Sequence, residues 1–282
     1  MGKHWQKFPA ETTALLFQAV EEDDVIGAGD SLPACAEFGY PSLVLYENYA
    51  LCLQFWEEGC HRKELLALIN TFLKNSNQPL AVRMRYKYIR ARYKHLRFAL
   101  RLYSTGHRPG RLLNMTTVML GHFQDAFRHG NQGQLRKYGY ILRGLLSTAV
   151  WSVIDYALQH TEIETEQGFA VYRRAELQRL RQLTTRQTLS GAEFHELRKI
   201  VSQQLSFYDT LRSLAPENIH ARQMSGFMAV INGLMGDRHD QMVADKLSGG
   251  DIYDRPAPLD SDIRRRLEQL LTAFSLPAEG NR

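Results

Sequence analysis

Apolar residues recur along this chain with the period of a helix. From 110 to 215 there is no proline, and Leu, Ala, Arg and Gln dominate. The spacing predicts helices over 10–22, 42–57, 61–75, 80–104, 110–129, 132–160, 166–184, 190–214, 218–247 and 260–275. The breaks carry turn residues: Gly-Tyr-Pro at 39–41, Asn-Gln-Pro at 77–79, Gly-His-Arg-Pro-Gly at 106–110, Ala-Pro-Glu-Asn at 215–218 and Ser-Gly-Gly-Asp at 248–251. No segment alternates convincingly as a strand does. Residues 22–41, with Gly27, Gly29, Pro33 and Gly39, read as a long loop, and the residues after Pro277 as a frayed tail. The expected fold class is all-α.

One helix stands apart. Over 80–104, Tyr86, Ile89, Tyr93, Leu96, Leu100 and Tyr103 step by three and four, so they share a face that should pack inward. Arg83, Lys87, Arg90, Lys94, Arg97 and Arg101 form a second stripe, about 100° further round the helix because one residue turns it by that angle. Like charges at i,i+4 repel by a few tenths of a kcal/mol per pair, about 0.2–0.5. A run without one carboxylate is therefore a stability cost unless something anionic lies opposite. Carboxylates from other helices, or plain solvation of the face, are the alternative explanations.

The pattern recurs. Displaced by 108 residues, the apolar stripe becomes Phe194, Leu197, Val201, Gln204, Tyr208 and Leu211, and Lys87 and Arg90 become His195 and Arg198. Downstream, Leu-Gly-His-Phe-Gln-Asp at 120–125 answers Met-Gly-Asp-Arg-His-Asp at 235–240, aligning Gly121 with Gly236 and Asp125 with Asp240. The chain thus reads as two copies of a helix pair. Glycine inside a helix costs about 1 kcal/mol against alanine, so its appearance twice predicts close helix–helix approach. The aspartate one turn on is placed to pair with an arginine of the preceding helix.

Charge sharpens this reading. Between Glu64 and Asp125 lie 60 residues with 11 Lys or Arg and no acid, which leaves about −6 for the rest of a chain whose net charge is +5. Such asymmetry implies a local anionic partner. The 282 residues are 44% hydrophobic, ample for a core, and allow one large domain or two small ones. Cys35, Cys52 and Cys60 are too few for a disulfide framework and lack metal-ligand spacing, so a reduced, cytoplasmic interior is expected. No uninterrupted apolar stretch reaches the length of a membrane span, so no membrane partner is expected. The N-terminus has neither a signal-peptide core nor a myristoylation pattern.

The motifs resemble the CHAD family, the conserved-histidine α-helical domain, over about residues 80–247. The match lies in His195-Glu196-Leu197-Arg198 of the second copy; in Lys87-Tyr88-Ile89-Arg90, Lys94-His95-Leu96-Arg97 and Leu100-Arg101-Leu102-Tyr103 of the first; and in the paired glycine–aspartate signatures. The resemblance implies two antiparallel helical bundles related by pseudo-symmetry, with repeat 1 over about 80–160, repeat 2 over about 166–247 and a C-terminal helix over about 260–275. It also implies non-catalytic binding of inorganic polyphosphate, or a similar polyanion, on a basic surface, in association with polyphosphate granules. Arg83, Lys87, Arg90, Lys94, Arg97, Arg101, His195 and Arg198 would then contact phosphate. Polyphosphate suits the stripe on physical grounds as well, since a row of cations tracks a linear polyanion by charge-assisted hydrogen bonds and counterion release. The chain departs from the pattern in three places. Lys87 replaces a histidine; Ser202, Leu205 and Asp209 replace the basic stripe of the second copy; and residues 1–79, read as an added helical segment, match nothing in the family. The Glu-x-Glu-x-Lys motif of the triphosphatases fused to some members is absent, since Glu162-Ile163-Glu164-Thr165-Glu166 ends in glutamate.

Other chemistries are weighed against this. Arg90 and His95 have the Arg-x-x-x-x-His spacing of HEPN-type helical ribonucleases. His239-Asp240, with His220 and Asp254 or Asp260, is similar to the metal doublet of helical phosphohydrolases, although the repeat explains Asp240 better. Tyr86, Tyr88, Tyr93, Phe98 and Tyr103 interleave with the cations as a base-stacking surface would, which makes nucleic acid an alternative partner. Docking of an acidic protein is a further alternative. There is no P-loop, dinucleotide fingerprint or nucleophile elbow, and neither a cofactor nor a metal is expected.

Overall fold

A computed structural model describes residues 5–23 and 31–274. The expected tail after Pro277, and residues 24–30 of the expected loop, lie outside the described residues. Within them the protein is all-helical, with 11 helices and two isolated β-bridges, Ser104–Ile163 and Leu189–Ala257. The elements form two compact units. Residues 1–79 are shared between these units, with the change of unit falling inside the second helix.

The first unit takes residues 5–9 and Tyr46–Ile163. It holds most of α2 (Ser42–Gly59), then α3 (Arg62–Lys74), α4 (Leu80–Tyr103), α5 (Arg111–Arg128), α6 (Gln132–Leu145) and α7 (Thr148–Gln159). The sequence predicts one helix over 132–160, but the chain bends by 65° between α6 and α7. Ser147 makes the break by accepting the Val150 N–H as an N-cap, at 3.5 Å.

Burial orients α4. All six residues of its apolar stripe are buried. The Tyr86 hydroxyl donates to the Leu120 carbonyl oxygen at 3.0 Å, fastening α4 to α5, while the Tyr86 ring packs edge-on to Phe72 of α3. Fully burying one such side chain is worth about 1.5–3 kcal/mol, so the rotation of α4 about its own axis is firmly set. The basic stripe therefore lies along the flank of this core.

The second unit takes Ala10–Leu45 and Glu164–Arg282, as far as these are described. It contains α1 (Ala10–Glu22), α8 (Glu166–Thr184), α9 (Gly191–Leu214), α10 (Ile219–Leu247) and α11 (Ser261–Ala273). Helix α9 is its axis and packs against α1, α8 and α10. Ser190 and Glu193 close a reciprocal capping box at its start, and every residue from Ile200 to Leu211 is buried. Arg173 of α8 is wholly buried against α9. It donates to Gln204 Oε1 at 2.9 Å, to the Tyr208 hydroxyl at 3.2 Å and to the carbonyl oxygens of Glu37 and Phe38 at 3.0 and 3.3 Å. The Phe207 ring lies 4.5 Å from its guanidinium carbon. Neutral acceptors and aromatic faces thus hold a buried cation.

Candidate functional site

The six basic residues of the α4 stripe are each half-buried. Off the stripe, Arg85 is neutralised by a bidentate pair with Glu64, whose second contact, Nη2 to Oε2, is 2.7 Å. On the stripe, Arg83, Arg90, Arg97 and Arg101 make no ion pair with a carboxylate among the described residues.

Arg97 is the extreme case. Its Nε is buried without a hydrogen-bond partner, and its guanidinium carbon lies 5.7 Å from the centre of the Phe98 ring. Burial, then the charges of Arg101 and Arg90, push its pKa down to about 10. These three arginines therefore feel one another at short range, in a place with little water to screen them. Lys94 sits with its Nζ 5.6 Å from the same ring.

Arg90 leans across onto α5. Its Nη1 donates to Gln124 Oε1 at 3.3 Å, and its Nη2 lies 3.3 Å from where a Cβ on Gly121 would stand. In the second unit, Arg198 Nη2 lies 3.2 Å from the equivalent position on Gly236. Both glycines, expected to mark close helix–helix approach, thus seat a guanidinium of the preceding helix. The predicted aspartate pairing does not occur in the first copy. Asp125 makes no ion pair among the described residues, and Gln124 takes Arg90 instead. Gln124 lies within the 120–125 signature, where its signal is weak because an amide carries no charge to mark a partner.

The rest of the second copy is arranged differently. The His195 ring stacks on His239 of α10 at 4.8 Å, and Asp240 is exposed, with Oδ1 4.0 Å from His239 Nδ1. Ser202, Leu205 and Asp209, which stand where α4 has Lys94, Arg97 and Arg101, are buried, and Asp209 lies beside Glu22 and Asp23 at the end of α1. Ser225 donates to Asp209 Oδ1 at 2.6 Å, and Arg212 pairs with Glu22 of α1 at 2.7 Å. Burial pushes the Asp209 carboxyl up to about 6 despite Arg212 and Ser225.

The other sequence candidates are not brought together. The His95 ring is buried, edge-on to Phe55 at 5.8 Å, and burial pushes its pKa down to about 3. It is a neutral core group facing α2, whereas Arg90 faces α5. Tyr86, Tyr93, Phe98 and Tyr103 are buried and offer no open stacking face, and Tyr88 is half-buried. His220 hydrogen-bonds the Cys35 carbonyl oxygen at 2.9 Å, and no group of three His, Cys, Asp or Glu among the described residues could hold a metal ion. Cys52 and Cys60 are buried, Cys35 is exposed, and none of the three is in a disulfide. Among the described residues, no single helix is long and apolar enough to cross a membrane. Comparisons with protein-family models, with curated proteins and with solved structures give no match.

Proposed function

We propose that this chain is a divergent, duplicated CHAD-like protein that binds inorganic polyphosphate, or a closely similar linear polyanion, along the basic flank of α4 without transforming it. The observation that carries the reading is Arg97, a guanidinium buried beside Arg90 and Arg101 with no carboxylate to offset it. A phosphate chain on that flank would supply the missing charge through short, charge-assisted hydrogen bonds. Residues three and four apart on a helix have Cβ atoms about 5–6 Å apart, so consecutive cations would meet successive stretches of a linear anion. Arg83, Lys87, Arg90, Lys94, Arg97 and Arg101 form this row. His195 and Arg198 would make a smaller site in the second copy.

The duplication rests on the matched seats of Arg90 on Gly121 and of Arg198 on Gly236. Two internally similar antiparallel bundles are the architecture that follows from it. Binding of polyphosphates of increasing length, measured by calorimetry, tests the function. Affinity should rise with chain length and fall steeply with salt, and the double variant Arg90→Glu/Arg97→Glu should abolish it. Unchanged binding in that variant, or equal affinity for RNA of matched charge, would overturn the assignment.

A further inference from the structure

The outer side of α6 and α7 carries a second, separate pattern. On α6, Arg136, Lys137, Tyr140, Ile141 and Arg143 are exposed at helical spacing, opposite the buried Leu135, Gly139, Leu142 and Leu145. On α7, Ala149, Val153, Tyr156 and Ala157 are exposed on one uncharged face, opposite the buried Ile154 and Leu158. Three large side chains stand open on these two consecutive helices, with Tyr156 66%, Tyr140 63% and Val153 55% accessible. From Ala126 to Ile154 the sequence contains no acid. Arg136, Lys137 and Arg143 make no ion pair among the described residues, and the Arg143 guanidinium carbon lies 5.9 Å from the centre of the Tyr140 ring.

We infer that this face docks flat on a lipid bilayer bearing anionic headgroups. Three features favour lipid over an acidic protein. First, the two helices are bent by 65° and keep one side in the protein core, which suits a helix pair lying in the interface. Second, tyrosines with an apolar ring and a polar tip, flanked by long cationic side chains, match the boundary between hydrocarbon and headgroups. Third, an acidic polypeptide would satisfy the arginines but leave the uncharged face of α7 without a partner, whereas a bilayer supplies both chemistries in one plane. The absence of a spanning helix does not bear on this, because nothing needs to cross.

Co-sedimentation of the full chain with phosphatidylcholine vesicles, with and without phosphatidylserine, tests the inference. Binding is expected only with phosphatidylserine. Val153→Glu/Tyr156→Glu should weaken it by about tenfold or more, since each substitution replaces buried apolar area by charge. Arg136→Gln/Lys137→Gln should weaken it too and flatten its salt dependence. All four positions are exposed, and an unchanged melting temperature would establish that the variants fold. The inference is overturned by an absence of vesicle binding, by binding of polyglutamate but not vesicles, or by a wild-type dimer that Val153→Glu/Tyr156→Glu disrupts while vesicles are ignored. It is also overturned if vesicle binding survives Val153→Glu/Tyr156→Glu but is lost in Arg90→Glu/Arg97→Glu, for then α4 reads the headgroups. Polyphosphate binding should be unchanged in Val153→Glu/Tyr156→Glu, so the two proposals fail separately.

Discussion

On the proposed function, Arg97 would oppose stability and support binding together. A buried, unpaired cation costs free energy, and replacing it with an apolar residue of similar length often stabilises. Arg97→Met should therefore raise the melting temperature of the free protein by about 2–4 °C. It should also weaken polyphosphate binding by about ten- to a hundredfold, the worth of one charge-assisted hydrogen bond of roughly 1.5–3 kcal/mol. Thermal melts with and without polyphosphate check both signs; a variant both less stable and equally tight-binding would contradict the account. Asp209 works in the opposite sense to a paired carboxylate. Its folded pKa of about 6 lies above the ordinary 3.8, with Arg212, Ser225, Asp23 and Glu22 around it. The folded chain thus keeps a proton that the unfolded chain has lost, and this contribution to stability, present below about pH 4, disappears as pH rises through 6. Asp209→Asn should flatten the pH dependence of melting between these values and raise the melting temperature at pH 8 by about 2–4 °C. The α4 stripe was legible because helical period alone decides which residues share a face. Arg173 and Asp209 were not, because what surrounds them comes from distant segments, such as the carbonyl oxygens of Glu37 and Phe38.

Helices were easier to read than the joints between them. Where capping residues and turn signals coincide, as at Thr165 before α8 and Asn218 before α10, the predicted and observed starts agree within a residue or two. The run 132–160 reads as one helix because its apolar spacing continues through the bend. Its only local marker is Ser147, a serine that could equally sit inside a helix. Gly191 is a joint of another kind. It opens α9, its N–H donates to the Tyr253 carbonyl oxygen at 2.9 Å, and a Cβ there would overlap that same oxygen. Backbone cannot swing aside as a side chain can. Gly191→Ala should therefore cost about 1–3 kcal/mol and loosen the Leu189–Ala257 bridge next to it. Hydrogen exchange of the Leu189 and Ala257 amides, which bond each other's carbonyl oxygens at 2.8 and 2.9 Å, should speed up. Unchanged protection there would mean that the joint yields to the added methyl group.

At the level of the whole chain, the two units differ in what lies against α4 and α9 at the positions the proposed duplication would match. In the second unit, α1 packs on α9, and the positions that would extend a basic row hold Ser202, Leu205 and Asp209, all buried. In the first, the corresponding positions hold Lys94, Arg97 and Arg101, half-buried and cationic. The concentration of positive charge between Glu64 and Asp125 was plain in the sequence; the role of α1 in the second unit was not, because nothing in residues 10–22 names their partner. Burying Ser202, Leu205 and Asp209 under a helix removes the need for cations there, so anion binding should be lopsided. If all six α4 cations engage, at about 0.7 released counterions each for a single-stranded polyanion, the logarithm of affinity should fall against the logarithm of salt with a slope of about −4. Arg90→Glu should reduce both the affinity and the magnitude of that slope, by about 1 or more. Arg198→Glu, on the equivalent seat in the second unit, should do so much less, because no continuous row of cations follows it. Equal losses from the two variants would mean that both copies hold the ligand, and that the buried face of α9 is no guide to where the anion runs.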